Sequence, residues 1–213
     1  MKYTHVIWDF NGTIFDDLSV GVEAINTMLK RRNMPILASV EEYRSKFGFP
    51  IKDYYAKCGF DFEKDDYETV LAPEWVEEYN RLEKSAGLCH NVKNALELLS
   101  DRGISQSILS ASRDDMLISQ INRLGISDYF DDIIGCDNFF AYGKAHLCKK
   151  YVFEHPERRF IMIGDTTHDH DVAKSAGIDC ALVTTGHMSR KVLSLCGCEV
   201  YDDCLSFALD ILK

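Results

Sequence analysis

Val6-Ile7-Trp8-Asp9-Phe10-Asn11-Gly12-Thr13-Ile14-Phe15-Asp16-Asp17 is the stretch on which the fold turns. The apolar run Val6, Ile7, Trp8 reads as a buried strand that ends on an acid and gives way to an Asn-Gly turn and a threonine. In an α/β sheet, ligands bind at the carboxyl ends of strands, so Asp9 stands where chemistry is done rather than where a core packs. Alone, the stretch is equally a strand-terminating Asp before a tight turn. The residues downstream separate the two readings.

From Leu18 the period becomes helical, with Val20, Val22, Ile25, Met28 and Leu29 on one face and Lys30-Arg31-Arg32 at the end. Further helices are expected over 40–47, 51–58 and 67–85, with no strand signal between Ile14 and about Gly103. The acidic run Glu63-Lys64-Asp65-Asp66 reads as a solvated loop. After Asn91 the text alternates. Helices are expected over 92–102, 114–124, 144–153, 168–176, 188–195 and 205–212, and strands over 104–109, 132–135, 160–163 and 180–183. This implies an α/β fold, a Rossmann-like parallel sheet flanked by helices and joined by right-handed crossovers, with an inserted all-helical domain. The expected division is 1–15 with 88–213 as core and 16–87 as insertion.

The bulk numbers narrow the function. With 213 residues and 46% hydrophobic content, the chain can bury a real core. A formal net charge of -10 disfavours a nucleic-acid backbone as partner and is compatible with a divalent cation as a working part. Eight cysteines are scattered, with no Cys-x-x-Cys pair, which suggests reduced thiols in a cytoplasmic protein. No signal peptide or membrane-spanning stretch is read, so a membrane partner is not expected. A monomer or homodimer is expected.

Three strand ends carry chemistry-capable residues: Asp9, Ser110 and Asp165. Gly143-Lys144 opens a helix in the crossover between the last two. A parallel sheet brings such ends to one edge. Two acids meeting there repel unless a cation binds, and a hard ion held by carboxylates, carbonyls, waters and a phosphate is how Mg²⁺ usually binds. A hydroxyl and an ammonium could hold the remaining phosphate oxygens, helped by backbone N–H groups of Asn11-Gly12-Thr13. The set suits phosphoryl transfer to the carboxylate of Asp9. Singly, each residue has a plainer role. Ser110 or Ser112 could cap the next helix, Lys144 could be a solvated helix residue, and Asp165, Asp169 and Asp171 could be helix N-terminal acids. His168 and His170 sit in the first turn of that helix, where a hard oxygen site is already expected.

Taken together, Asp9-Phe10-Asn11-Gly12-Thr13, Ser110, Lys144 and Gly164-Asp165-Thr166-Thr167-His168-Asp169 with Ala176-Gly177 resemble the haloacid dehalogenase-like hydrolase superfamily. The helical excursion is similar to that family's C1 cap, and Phe47-Gly48-Phe49-Pro50 to the cap of phosphoglycolate phosphatase-like members. The resemblance implies a Mg²⁺-dependent phosphatase of a small phosphorylated metabolite. Asp9 would be nucleophile and metal ligand, and Asn11 would offer a backbone carbonyl to the metal. Ser110, with Ala111, Gly12 and Thr13, would bind the phosphoryl group, and Lys144 would steady it and Asp9. Asp165 would ligate Mg²⁺, with Asp169 helping directly or through water.

The sequence departs from that pattern at Asn11, where phosphatases of the family carry a second Asp that moves the leaving-group proton. An amide cannot do this, and losing such a group costs on the order of 10²–10⁴-fold. Three readings follow. One is a slow or atypical phosphatase. The second is a carbon–phosphorus hydrolase resembling phosphonoacetaldehyde hydrolases, with Lys52 as the Schiff-base candidate. The third is a non-catalytic phosphometabolite-binding protein. Partial deamidation at Asn11-Gly12 would be a chemical source of trace activity.

Overall fold

A computed structural model describes residues 2–136 and 144–213. Its centre is a six-stranded parallel sheet of β1 (His5–Trp8), β2 (Ser105–Arg113), β3 (Asp132–Cys136), β4 (Phe160–Gly164), β5 (Asp179–Val183) and β6 (Glu199–Tyr201). The strand order is β3-β2-β1-β4-β5-β6, so β1 is central. Every residue of β1 and β4 is buried, as expected of strands covered on both faces. The sheet also buries polar side chains in pairs: the Trp8 indole donates to Gln106 Oε1 (3.0 Å) and His5 bonds Ser107 Oγ (2.9 Å).

Between β1 and β2 run α1 (Leu18–Arg31), α2 (Val40–Lys46), α3 (Ile51–Cys58) and α4 (Ala72–Leu82). They enclose an apolar cluster of their own that includes Ile25, Met28, Leu29, Tyr43, Tyr54, Tyr55 and Leu71. The basic end of α1 is tied to α4, with Arg31 and Arg32 donating to Glu74 (3.0 and 2.7 Å). The remaining helices flank the sheet: α5 (Val92–Asp101), α6 (Asp114–Leu124), α7 (Lys144–Glu154), α8 (Thr167–Ala176), α9 (Arg190–Leu193) and α10 (Cys204–Ile211). No described helix is long and apolar enough to cross a membrane.

Four local expectations are corrected. The segment expected as one helix over 67–85 is a π turn (Tyr67–Leu71), then α4, then a 3₁₀ turn (Glu83–Ser85). Pro73 has no N–H to give, so the ladder changes register before it. The helix expected over 188–195 is the single turn α9 followed by a 3₁₀ turn, closed by Gly197 at φ 76°. Strand β6 is additional to the expected strands; its three residues are too few for a periodic signal. The acidic run is not simply solvated: Asp65 accepts from Arg32 Nε (2.8 Å), and Asp66 caps the π turn. Gly143 lies outside the described residues.

Candidate active site

The turn after β1 is built by its own backbone. Ile14 and Phe15 N–H both donate to Phe10 O at 2.9 Å, which folds 10–15 into a tight knot. Gly12 sits at φ 71°, a left-handed conformation, and a side chain there would strike the Asp165 carboxylate. Asp9 N donates to Ile163 O (2.9 Å), which holds the start of this turn against β4.

Asp9, Asp165 and Asp169 converge, with one carboxylate oxygen of each within 4.8 Å of the others, all buried. Asp9 follows β1, Asp165 follows β4, and Asp169 lies in the first turn of α8. Lys144, the first residue of α7 and itself buried, donates to Asp9 Oδ1 and to Asp169 Oδ1 (2.6 Å to the latter). The second oxygen of Asp169 accepts from Thr166 N (3.0 Å) and Thr166 Oγ1 (2.7 Å). Thr13 Oγ1 lies 3.4 Å from Asp9 Oδ2.

Register places Ser110 beside this turn. β1 and β2 pair Trp8 with Ile108, so Ser110 lies two residues further along the neighbouring strand. It is buried, accepts from Ser112 N (3.0 Å), and is followed by the half-buried Ala111. Ser112 Oγ in turn donates to Asn11 Oδ1 (2.9 Å). The amide of Asn11 donates to Asp17 Oδ2 (2.9 Å) and to Tyr79 OH (2.7 Å). All nine singled-out residues therefore sit at or beside one sheet edge. Lys52 does not join them: it is exposed on α3, over the rings of Phe62 and Tyr67 at 5.2 and 5.8 Å.

Sequence reading passed over a second layer. Asp17 is buried and accepts from Asn11, from Tyr79 OH (2.7 Å), from Gly12 N (2.8 Å) and from His187 Nε2 (3.1 Å). His187 also reaches Tyr43 OH through Nδ1 (2.9 Å), and its backbone N–H donates to Asp165 Oδ2 (2.6 Å). A signal was available. The Thr184-Thr185-Gly186-His187 loop follows the strand expected over 180–183, and the strand-end rule that singles out Asp9 applies to it equally.

Charge explains the arrangement. Burial, reinforced by Asp169 and Asp165, raises the pKa of Asp9 well above the usual carboxylate range, although Lys144 pulls the other way. Burial also raises Asp165, to about 7, with His187 opposing. Asp169 is held low despite burial, by the charge and hydrogen bond of Lys144. Burial works against charge on Lys144 and His187. The carboxylates overcome it, raising Lys144 through Asp169 and Asp9, and raising His187 to about 9 through Asp17. Among the described residues four carboxylates face one ammonium and one imidazolium, so full ionisation would leave an excess of two negative charges. A hard, oxygen-only donor set with that excess fits a divalent ion such as Mg²⁺.

Comparison with known proteins agrees with this geometry. The family model for haloacid dehalogenase-like hydrolases matches residues 6–183, and the chain belongs to that family. Among similar proteins is a phosphoglycolate phosphatase from Yersinia pestis, 24% identical over 191 residues, covering 85% of this chain and 81% of that one. Another is pyrophosphatase PpaX from Oceanobacillus iheyensis, 24% identical over 188 residues, covering 86% and 84%. A haloacid dehalogenase-like hydrolase from Streptococcus pneumoniae shares the fold at TM-score 0.82 and 22% identity, covering 100% of this chain and 99% of that one.

Proposed function

We propose that this hydrolase is a phosphatase of a small phosphorylated metabolite, working through an aspartyl phosphate on Asp9 and turning over slowly because Asn11 cannot move a proton. One observation carries the reading: the buried Lys144 ammonium bonds Asp9 and Asp169 at once, at the edge where Asp165 meets them. The names of the relatives, phosphoglycolate phosphatase and pyrophosphatase, support the substrate class.

In this reading Asp9 attacks phosphorus, the bond to the leaving oxygen breaks, and water then hydrolyses the aspartyl phosphate to release phosphate and restore Asp9. Lys144 orients the attacking carboxylate and offsets charge on the transferred group. Ser110, Ala111 and the N–H groups of Gly12 and Thr13 bind phosphoryl oxygens. Asp9, Asp165 and the Asn11 carbonyl, with Asp169 nearby, would hold Mg²⁺, which would supply positive charge to offset the repulsion between the attacking carboxylate and the phosphoryl group. Residues 16–87 act as the cap over this edge, and 1–15 with 88–213 as the catalytic core.

The Asn11 amide is fully engaged by Ser112, Asp17 and Tyr79, which supports a positional role for it and no part in proton transfer. The leaving oxygen then takes its proton from solvent or substrate. The position of Lys52 over two cap rings gives no support to the Schiff-base reading. The test is Mg²⁺-dependent hydrolysis of a phosphometabolite panel by wild type, Asn11→Asp and Asp9→Asn, alongside beryllofluoride trapping. Turnover lost in Asp9→Asn supports the proposal. Absence of both turnover and a beryllofluoride adduct with Mg²⁺ present would leave a binding protein instead.

A further inference from the structure

The loop 184–187 is gripped from both sides. On one side it presses on the site: Thr185 Oγ1 donates to Gly12 O (2.7 Å), and His187 N donates to Asp165 Oδ2 (2.6 Å). Gly186 lies between them with no room for a Cβ, which would run into the Asp165 carboxylate and the Gly12 backbone. On the other side a single residue of the helical insertion holds the loop's backbone. Arg44 of α2 donates through Nε to Gly186 O (2.9 Å) and through Nη2 to Thr184 O (3.1 Å) and Thr185 O (3.4 Å). The same helix adds Tyr43, bonded to His187 Nδ1, and its C-cap residue Phe47, stacked on the His187 ring at 5.0 Å and 29°.

We propose that Arg44 is a positioning residue for the hydrolase reaction: by docking on three successive carbonyls it fixes the loop that orients Gly12 and Asp165, so that seating the insertion and completing the site are one event. Among the described residues Arg44 bonds the loop carbonyls and none of the three carboxylates or Lys144. Its planar fork suits the task, because it presents several donors in one fixed geometry where a lysine offers a single centre. The inference rests on the phosphatase reading only for its kinetic readout. Small displacements of reacting groups by a remote change can cost about 10²-fold in rate.

The experiment compares Arg44→Ala and Arg44→Lys with wild type. Lys46→Ala serves as a control on the same helix, where the Lys46 ammonium donates to Lys57 O within the insertion. Hydrogen–deuterium exchange is read peptide by peptide in the absence of substrate, and kcat and KM are read on p-nitrophenyl phosphate with Mg²⁺. For Arg44→Ala we expect faster exchange confined to the loop after β5 and the turn after β1. A fall in kcat of about 10²-fold should accompany it, with KM little changed, and free guanidinium should restore part of the rate. Arg44→Lys should fall between, and Lys46→Ala should match wild type. Loop exchange unchanged in Arg44→Ala would overturn the proposal. So would a loss that spreads evenly over the whole chain in both Arg44 variants, or a loss confined to KM. If wild type itself does not turn over the ester, the phosphatase reading fails, and the exchange pattern still decides the role of Arg44.

Discussion

His187 Nε2 bonds Asp17 Oδ1 at 3.1 Å with both side chains buried, forming an ion pair directly behind the turn that carries Asp9. Burial disfavours the imidazolium, but Asp17 outweighs it and raises the pKa of His187 from 6.5 to about 9. A raised folded pKa stabilises fully below 6.5, and the contribution is lost as pH climbs through about 9. The metal-free protein should therefore lose thermal stability between those values, and His187→Gln should flatten that slope. Melting curves across the range check it, and an identical slope in the variant would refute the assignment.

Asn11→Asp should raise kcat on phosphomonoesters by about 10²-fold or more, since it restores a group able to protonate the leaving oxygen. The new carboxyl would lie where the amide now donates to Asp17 Oδ2 at 2.9 Å, and the like charge of Asp17 would raise its pKa and favour the protonated form that an acid needs. Steady-state kinetics with a pH profile measure this. No gain on any ester of the panel counts against a missing acid.

Burial raises the pKa of Asp9 and raises that of Asp165 to about 7. Ionising Asp165 works against the fold as pH rises toward that value, and Mg²⁺ must displace any proton held by its ligands to bind. Mg²⁺ affinity should thus increase with pH up to about 7, with proton release. Calorimetry in buffers of different ionisation enthalpy reads both quantities, and a pH-independent affinity would contradict the ligand assignment.

Lys144→Met should abolish turnover and also weaken the fold. Removing one partner of a buried ion pair costs about 3–5 kcal/mol, because the carboxylates left behind have no counter-charge. Urea unfolding should show a larger deficit at pH 7 than in mild acid, where the crowded acids take up protons. An equal deficit at both would mean the loss is one of packing.

Gly186→Ala should cost about 1–3 kcal/mol, the usual range for forcing an extra carbon into a filled space. Its Cβ would meet the Asp165 carboxylate, so Mg²⁺ affinity should fall with stability. Unfolding midpoints with and without Mg²⁺ check this, and an unchanged Mg²⁺-dependent shift would mean the loop does not press on the metal site.

Much was legible in the chain because periodicity and strand ends are local signals. The alternation of apolar strands and amphipathic helices after Asn91 specified a parallel sheet, and that sheet brought Asp9, Ser110 and Asp165 to one edge. The boundaries of α3 and α6 were readable to the residue, since Pro50 and Gly59, and Gly125, mark their ends. Strand β6 and the break before α4 were not, because one depends on pairing with β5 and the other on a single missing N–H.

What the sequence alone determined is which chemistry the edge can hold: an acid after the first strand, a lysine and two acids further on, and an amide where an acid would be needed. What only the tertiary structure decided is who holds these groups in place. Two of the three partners of the Asn11 amide are 68 and 101 residues away, and those of the His187 ring are 144 and 170 away. No local pattern encodes contacts of that range. Burial then turns them from ordinary polar residues into a charged network, because a carboxylate removed from water must find a proton, an ammonium, an imidazolium or a metal.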